Sequence, residues 1–252
     1  MNVTLHPSER LDDLLTHNLR IIQSDEVFSF SLDAVLLARF GAIPAKGRIL
    51  DLCTGNGAIP LLLTTRTKAH IDGIEIQPRL ADMAQRSVEL NGLTEQINII
   101  EGDLKSLKLV GDQHLYDAIT VNPPYMSVAS GDLKENEHKA MARHEIGCTL
   151  EDVIAASARL LKVGGKIFMV HRPSRLVDMI ALMRTYRLEP KRIRFVHPKA
   201  GAEANMVLIE AARNGKPEVR LMPPLIVYNE DNTYCEELMH VYYGAKSELR
   251  NE

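Results

Sequence analysis

Hydrophobic positions along this chain alternate between two registers. Short apolar runs, Arg48–Leu52, His70–Ile76, Ile97–Glu101, Asp117–Val121 and Lys166–His171, read as strands. Between them lie Ala58–Arg66, Pro78–Asn91, Leu150–Leu161 and Arg175–Tyr186, where apolar residues recur at helical spacing. Pro78 stands in the first turn of its helix and Gly92 just past its end, the expected start and stop signals. Upstream, Leu32–Phe40 reads as a short helix with Ser31 placed to cap it. Strand and helix alternate from about residue 48 to 190, which predicts an α/β fold, a mostly parallel sheet with helices on both faces. Lys191–Val196 and Asn205–Ala212 then read as a C-terminal antiparallel hairpin. The chain divides accordingly into an N-terminal segment (1–45), the alternating domain (46–215) and a C-terminal extension (216–252) packed on that domain.

Sheets of this kind bind ligands beyond the C-terminal ends of their strands. The first strand ends at Asp51 and leads through Gly55, Asn56 and Gly57 into a helix. Glycines there let a ligand approach the backbone, and a carboxylate at Asp51 suits the ammonium group of an amino-acid ligand. A lone Gly-x-Gly is equally a structural tight turn. Glu75, 24 residues after Asp51, ends the second strand, where an acid accepts hydrogen bonds from ribose hydroxyls. Ile76 beside it suits the face of an adenine ring. A helix cap is the alternative role for such an acid. Asp103 and Leu104 follow the third strand and suit the amine and the face of the same ring, although Asp is also a common turn residue.

The fourth strand ends in Asn122-Pro123-Pro124-Tyr125. A planar amine is a poor nucleophile because its lone pair is delocalised. The Asn122 amide oxygen and the Pro123 carbonyl can each accept one of its N–H groups, holding the nitrogen in line and stabilising the charge it develops. Pro123 and Pro124 stiffen the turn, and Tyr125 offers a ring on which a base or amide plane can stack. A rigid Pro-Pro turn without function is the alternative.

With these four motifs the chain resembles class I, Rossmann-like S-adenosylmethionine-dependent methyltransferases over nearly its whole length. Within that class the Asn-Pro-Pro-Tyr turn marks enzymes that methylate adenine N6, cytosine N4 or the glutamine side-chain nitrogen. Ile22-Gln23 with Phe28 to Ala38, and Ala142-Arg143-His144-Glu145, resemble bacterial tRNA(Val) adenine-N6 methyltransferases, which modify the purine just 3′ of the anticodon. The resemblance implies S-adenosylmethionine as cofactor and S-adenosylhomocysteine as product. It also implies an N-terminal segment over the cofactor site, with Phe30 and Asp33 at the cofactor, and the tRNA anticodon loop as partner. Cys53 departs from the Gly that many members carry, which fits if its side chain points into the core. His144 invites a general-base role, but the amine can lose its proton to water after transfer, and capping or exposure is the commoner fate of such a triplet. A polar loop over 127–147 is expected beside the site. A protein-glutamine methyltransferase and a non-catalytic RNA-binding protein that keeps the fold remain alternatives. The roughly forty-five residues before the first strand are fewer than the helical domain usual for the former.

Composition narrows the picture only modestly. The 252 residues are 45% hydrophobic and 25% charged, with a net charge of −3. Cys53, Cys148 and Cys235 are far apart and form no C-x-x-C pair, and the histidines show no ligand spacing, so no metal is expected. The start of the chain lacks a signal-peptide pattern, and the apolar stretches are too short to span a bilayer. The expectation is a soluble, cytoplasmic protein without an obligate protein partner. Arg184, Arg187, Lys191, Arg192, Arg194 and Lys199 form a basic stretch, read either as a phosphate-binding patch or as a solvated surface.

Overall fold

The computed structural model describes residues 3–27, 29–107, 115–125 and 148–243. The expected 127–147 loop and Arg143-His144-Glu145 lie outside the described residues. In chain order the elements are β1 (Glu9–Asp13), β2 (Arg20–Ser24), α1 (Leu32–Phe40), β3 (Arg48–Leu52), α2 (Ala58–Leu63), β4 (His70–Glu75), α3 (Pro78–Leu90), β5 (Ile97–Glu101) and β6 (Tyr116–Val121). After the undescribed stretch come α4 (Leu150–Leu160), β7 (Leu161–His171), α5 (Leu176–Thr185), β8 (Leu188–His197), β9 (Met206–Arg213), β10 (Arg220–Leu221), β11 (Leu225–Ile226) and α6 (Glu236–Tyr243).

Nine strands form one sheet, ordered β10-β8-β9-β7-β6-β3-β4-β5, with β11 also on β8. Strands β3 to β7 are parallel, while β9 runs antiparallel to both β7 and β8. The chain enters at β3, runs outward through β4 and β5, and returns to β6 on the other side of β3. That reversal opens a crevice at the C-terminal ends of β3 and β6, where open α/β sheets bind ligands.

Successive strand residues serve opposite faces, so Ile49, Phe168 and Leu208 enter one core and Leu50, Met169 and Ile209 the other. The first core packs beneath α1, α2 and α6, the second beneath α4 and α5. The capping box of Thr149 and Asp152 starts α4, each side chain bonding the other's backbone N–H.

Three local expectations change. Helix α2 ends at Leu63 rather than Arg66, and the Thr64 and Thr65 hydroxyls bond back to the carbonyls of Leu61 and Leu62, closing the last turn. Strand β7 begins at Leu161 rather than Lys166. Its register shifts between Leu161, opposite Tyr116, and Lys166, opposite Ala118, and the irregularity contains the two glycines. A Cβ on Gly165 would lie 2.9 Å from the Lys162 carbonyl oxygen. Ser31 occupies the N-cap of α1 but makes no side-chain cap bond; its hydroxyl donates to Asp33 instead.

The N-terminal segment holds more than the one helix expected. Its β1–β2 hairpin is antiparallel, and β2 is buried against α3, with Ile22 packed beside Leu80 and Met83. The Ser87 hydroxyl accepts from the Ile22 N–H at 3.0 Å, which fixes β2 to that helix. Among the described residues no helix is long and apolar enough to cross a membrane.

Candidate active site

A cavity occupies the crevice at the ends of β3, β4, β5 and β6, and the N-terminal segment supplies another wall. Of the residues expected from sequence, Phe30, Asp33, Gly55, Asn56, Glu75, Ile76, Asp103, Leu104 and the whole Asn122-Pro123-Pro124-Tyr125 turn line it. Asp51 and Gly57 do not.

Asp51 is fully buried, and both its oxygens are occupied by hydroxyls at 2.6 Å: Thr54 donates to Oδ2 and Thr120 to Oδ1. It is the penultimate residue of a central strand, flanked in register by Gly73 and Thr120. Burial pushes its carboxyl up to about 7, against the two hydroxyl bonds and with the nearby Glu75 charge adding to the rise. Asp51 thus braces the turn from inside, set back from the cavity wall at which a ligand ammonium was expected to meet it. Gly57, at φ +87°, starts α2, and a Cβ there would lie 3.2 Å from the Ala84 Cβ. It permits close helix packing rather than ligand approach. Gly55, at φ +58°, has open space where its Cβ would be, on the cavity wall.

Glu75 is buried and points into this region. Its Oε2 accepts from Gly55 N–H at 2.8 Å and its Oε1 from Gln77 N–H at 3.0 Å. Each carboxylate oxygen has capacity for a further donor. Burial raises its pKa despite these bonds. Ile76 is 41% exposed beside it and offers aliphatic surface on the cavity. Asp103 Oδ1 accepts from Lys105 N–H at 2.9 Å, and Leu104 is buried against the second core. Asn56 donates to the Ile22 carbonyl at 3.1 Å, tying the turn to β2, while Gln23 accepts from the Phe30 N–H at 3.1 Å. These two bonds explain how the N-terminal segment is held over the cavity.

Cys53 adopts φ +57°, a conformation favouring glycine, and packs against the second core with its sulfur 3.9 Å from that of Cys148. The side chain is accommodated as expected, although the residue also borders the cavity. Burial and Cys148 hold its thiol well above the usual range.

At the Asn122 turn, the Tyr125 hydroxyl lies 2.5 Å from both Asp33 Oδ2 and Asn122 Oδ1. The other face of Tyr125 meets His171, with ring centroids 5.1 Å apart. His171 is fully buried; its Nδ1 accepts from the Arg172 N–H, and burial together with Arg175 and Arg172 lowers its pKa to about 4, so the ring is neutral. Sequence reading missed His171 and Arg172 because nothing local marks them; only their place after β7, next in the sheet to β6, brings them to the turn.

Half of the basic stretch is paired with acids within the fold. Arg184 pairs with Glu189, Arg192 with Glu210 and Arg194 with Glu237, while Lys191 and Lys199 donate to backbone carbonyls. Arg172, by contrast, is exposed on the cavity rim, and among the described residues no carboxylate pairs with it. Far from the cavity, His6, Glu9 and Asp82 bring three potential ligand atoms within 4.8 Å, but Arg86 pairs with both acids.

Comparisons with known proteins agree with this geometry. The methyltransferase small domain matches residues 18–186. The tRNA1(Val) (adenine(37)-N6)-methyltransferase of Porphyromonas gingivalis (strain W83) is 33% identical over 186 residues, covering 71% of this chain and 72% of its own. The enzyme of the same description from Aeromonas hydrophila is 27% identical over 212 residues, covering 83% and 86%. Among solved structures, a protein described as a predicted O-methyltransferase from Agrobacterium tumefaciens superposes with a TM-score of 0.67 at 24% identity, covering 84% of this chain and 95% of its own. The geranyl diphosphate C-methyltransferase of Streptomyces coelicolor, solved with S-adenosyl-L-homocysteine, superposes with a TM-score of 0.54 at 16% identity, covering 72% and 79%. At these identities the two structures establish the fold.

Proposed function

The chain belongs to the methyltransferase small domain family, and from that premise we propose that it methylates the exocyclic N6 of an adenine beside the anticodon of a tRNA, using S-adenosylmethionine. The observation that carries the reading is the Asn122-Pro123-Pro124-Tyr125 turn on the same cavity as Glu75, Ile76 and Asp103. The relatives from Porphyromonas and Aeromonas, named for adenine(37) of tRNA1(Val), supply the substrate. The cytoplasm, where tRNA is modified, is the corresponding location.

The residues fit the cofactor. Glu75 retains acceptor capacity for a ribose diol, exposed Ile76 and Leu104 offer apolar surface to an adenine ring, and Asp103 offers a carboxylate to its amine. When bound, the cofactor supplies an electrophilic methyl group on a sulfonium and leaves as S-adenosylhomocysteine. The chain's task is to hold the target amine on the line of attack. The Asn122 amide oxygen and Pro123 carbonyl each accept one N–H, and the charge that develops on nitrogen is met by fixed dipoles. Tyr125 offers the base a ring to stack on. Such a base must leave its stack, which costs least in a single-stranded loop. Arg172 on the rim supplies a positive charge, without a carboxylate partner among the described residues, suited to a nearby phosphate.

The test is methyl transfer from tritiated S-adenosylmethionine to separate pools of unmodified tRNA, DNA and cell protein. Label recovered from tRNA as N6-methyladenosine, reduced by about 10²–10³-fold in kcat with Asn122→Ala, is the expected result. Label in protein would replace the tRNA reading with a glutamine one; cofactor binding without transfer to any pool would leave a non-catalytic RNA-binding protein.

A further inference from the structure

We propose that Asp33 is a positioning residue for methyl transfer, acting through the Tyr125 hydroxyl on the amide of Asn122. The inference rests on the N-methyltransferase reading above. Asp33 is buried in the first turn of α1, 92 residues before Tyr125 in sequence. Its Oδ1 is committed locally, accepting from Ser31 Oγ at 2.5 Å and Ala34 N–H at 2.9 Å. Its Oδ2 instead faces the catalytic turn and meets the Tyr125 hydroxyl at 2.5 Å.

That hydroxyl has one proton, and it stands 2.5 Å from a second acceptor, Asn122 Oδ1. It can donate to only one of them. A carboxylate accepts more strongly than an amide oxygen, so the hydroxyl donates its hydrogen bond to Asp33 and keeps its proton. Tyr125 Oη then turns a lone pair towards Asn122, and two facing lone pairs repel. The amide relieves this by a half-turn about its last side-chain bond. Nδ2 now donates to Oη, and Oδ1 takes the place facing the cavity. Oxygen and NH2 are nearly equal in size, so the half-turn needs no repacking. An oxygen is what the substrate amine requires there, because an NH2 would oppose donor to donor. His171 packs on the Tyr125 ring and keeps the hydroxyl on this line.

Asp33→Asn tests the relay without removing the Oδ1 contacts. Its new NH2 donates to Tyr125 Oη, which drives the phenolic proton onto Asn122 Oδ1 and takes that oxygen from the amine. The expected result is a fall of about 10²-fold in kcat, with the KM values for cofactor and RNA within about twofold of wild type. Tyr125→Phe removes the relay, so adding Asp33→Asn to it should cause little further loss. A wild-type kcat in Asp33→Asn, a full additional loss in the Tyr125→Phe background, or a loss confined to cofactor affinity would each overturn the proposal. A second readout needs no substrate. In ultraviolet titration, the phenol that disappears in Tyr125→Phe should ionise at lower pH in Asp33→Asn, because burial first and then the Asp33 charge and hydrogen bond hold it protonated, and the substitution removes the Asp33 share. An unchanged midpoint counts against the relay even if no RNA is methylated. A wild type inactive on every RNA, with the midpoint shifted, overturns the functional reading and leaves the relay standing.

Discussion

Asp51 shows how one carboxylate can brace the wall of a site from inside its strand. Its two hydroxyl bonds brace the turn that carries Gly55, and its burial pushes the carboxyl up to about 7 from an ordinary value of 3.8. A carboxyl whose folded pKa is raised binds more protons in the folded than in the unfolded state. Its contribution to stability is full below the unfolded value and is lost as pH rises through about 7. Asp51→Asn should therefore gain stability relative to wild type between about pH 4 and about pH 7 and level off above, measured by urea melts at each pH. A difference that stays flat over that range would mean the carboxyl titrates near its ordinary value. The glycines of the same turn divide similarly. Gly55 leaves space on the cavity wall, while Gly57 lets α2 approach Ala84. Sequence placed both in one motif, because both are glycines with positive φ, and only the packing separates their roles.

Helix boundaries were legible where a local device sets them. Pro78 and Gly92 bracket α3; the start of α4 at Leu150 was legible from its amphipathic spacing, and the structure adds the reciprocal pair of Thr149 and Asp152 that sets it. Thr149→Ala should cost about 1 kcal/mol, read as a lower urea midpoint with unchanged slope, because one helix-start N–H loses its acceptor. No loss would mean that α4 is held by its packed face alone. Strand β1 was not legible. Its sequence Glu9–Asp13 is mostly charged and lacks a buried face; it is a strand because β2 beside it is anchored to α3. Strand β7 was legible only from Lys166, since the glycines that mark a turn in sequence here form an irregularity within the strand.

Across the whole molecule, charge distribution points to the side of the site where a polyanion would approach. Three cations of the basic stretch, Arg184, Arg192 and Arg194, are paired with Glu189, Glu210 and Glu237, which weakens it as a phosphate surface. Arg172 keeps its charge at the cavity rim. For an RNA substrate, Arg172→Ala should raise the KM for RNA and lower the slope of log KM against log salt by about 1, the signature of one lost phosphate contact. A slope unchanged from wild type would remove Arg172 from the RNA path.

The sequence by itself determined the alternating elements from β3 to β9, the class of parallel sheet that places a site at the strand ends, and most of the residues around it. These follow from short-range periodicity and from the position of each acid, glycine or proline relative to its own strand. Tertiary structure decided which of those side chains face the cavity. Asp51 and Glu75 are both acids at strand ends, yet Asp51 lies one residue further in, directly across from Thr120 on a central strand, and is sealed. Glu75 ends its strand and stays at the cavity. The bond from Tyr125 to Asp33 and the salt bridges of Arg192 with Glu210 and Arg194 with Glu237 join residues far apart along the chain, and no local pattern encodes them. They depend on the strand order, which brings distant groups within hydrogen-bonding distance only after the sheet has formed.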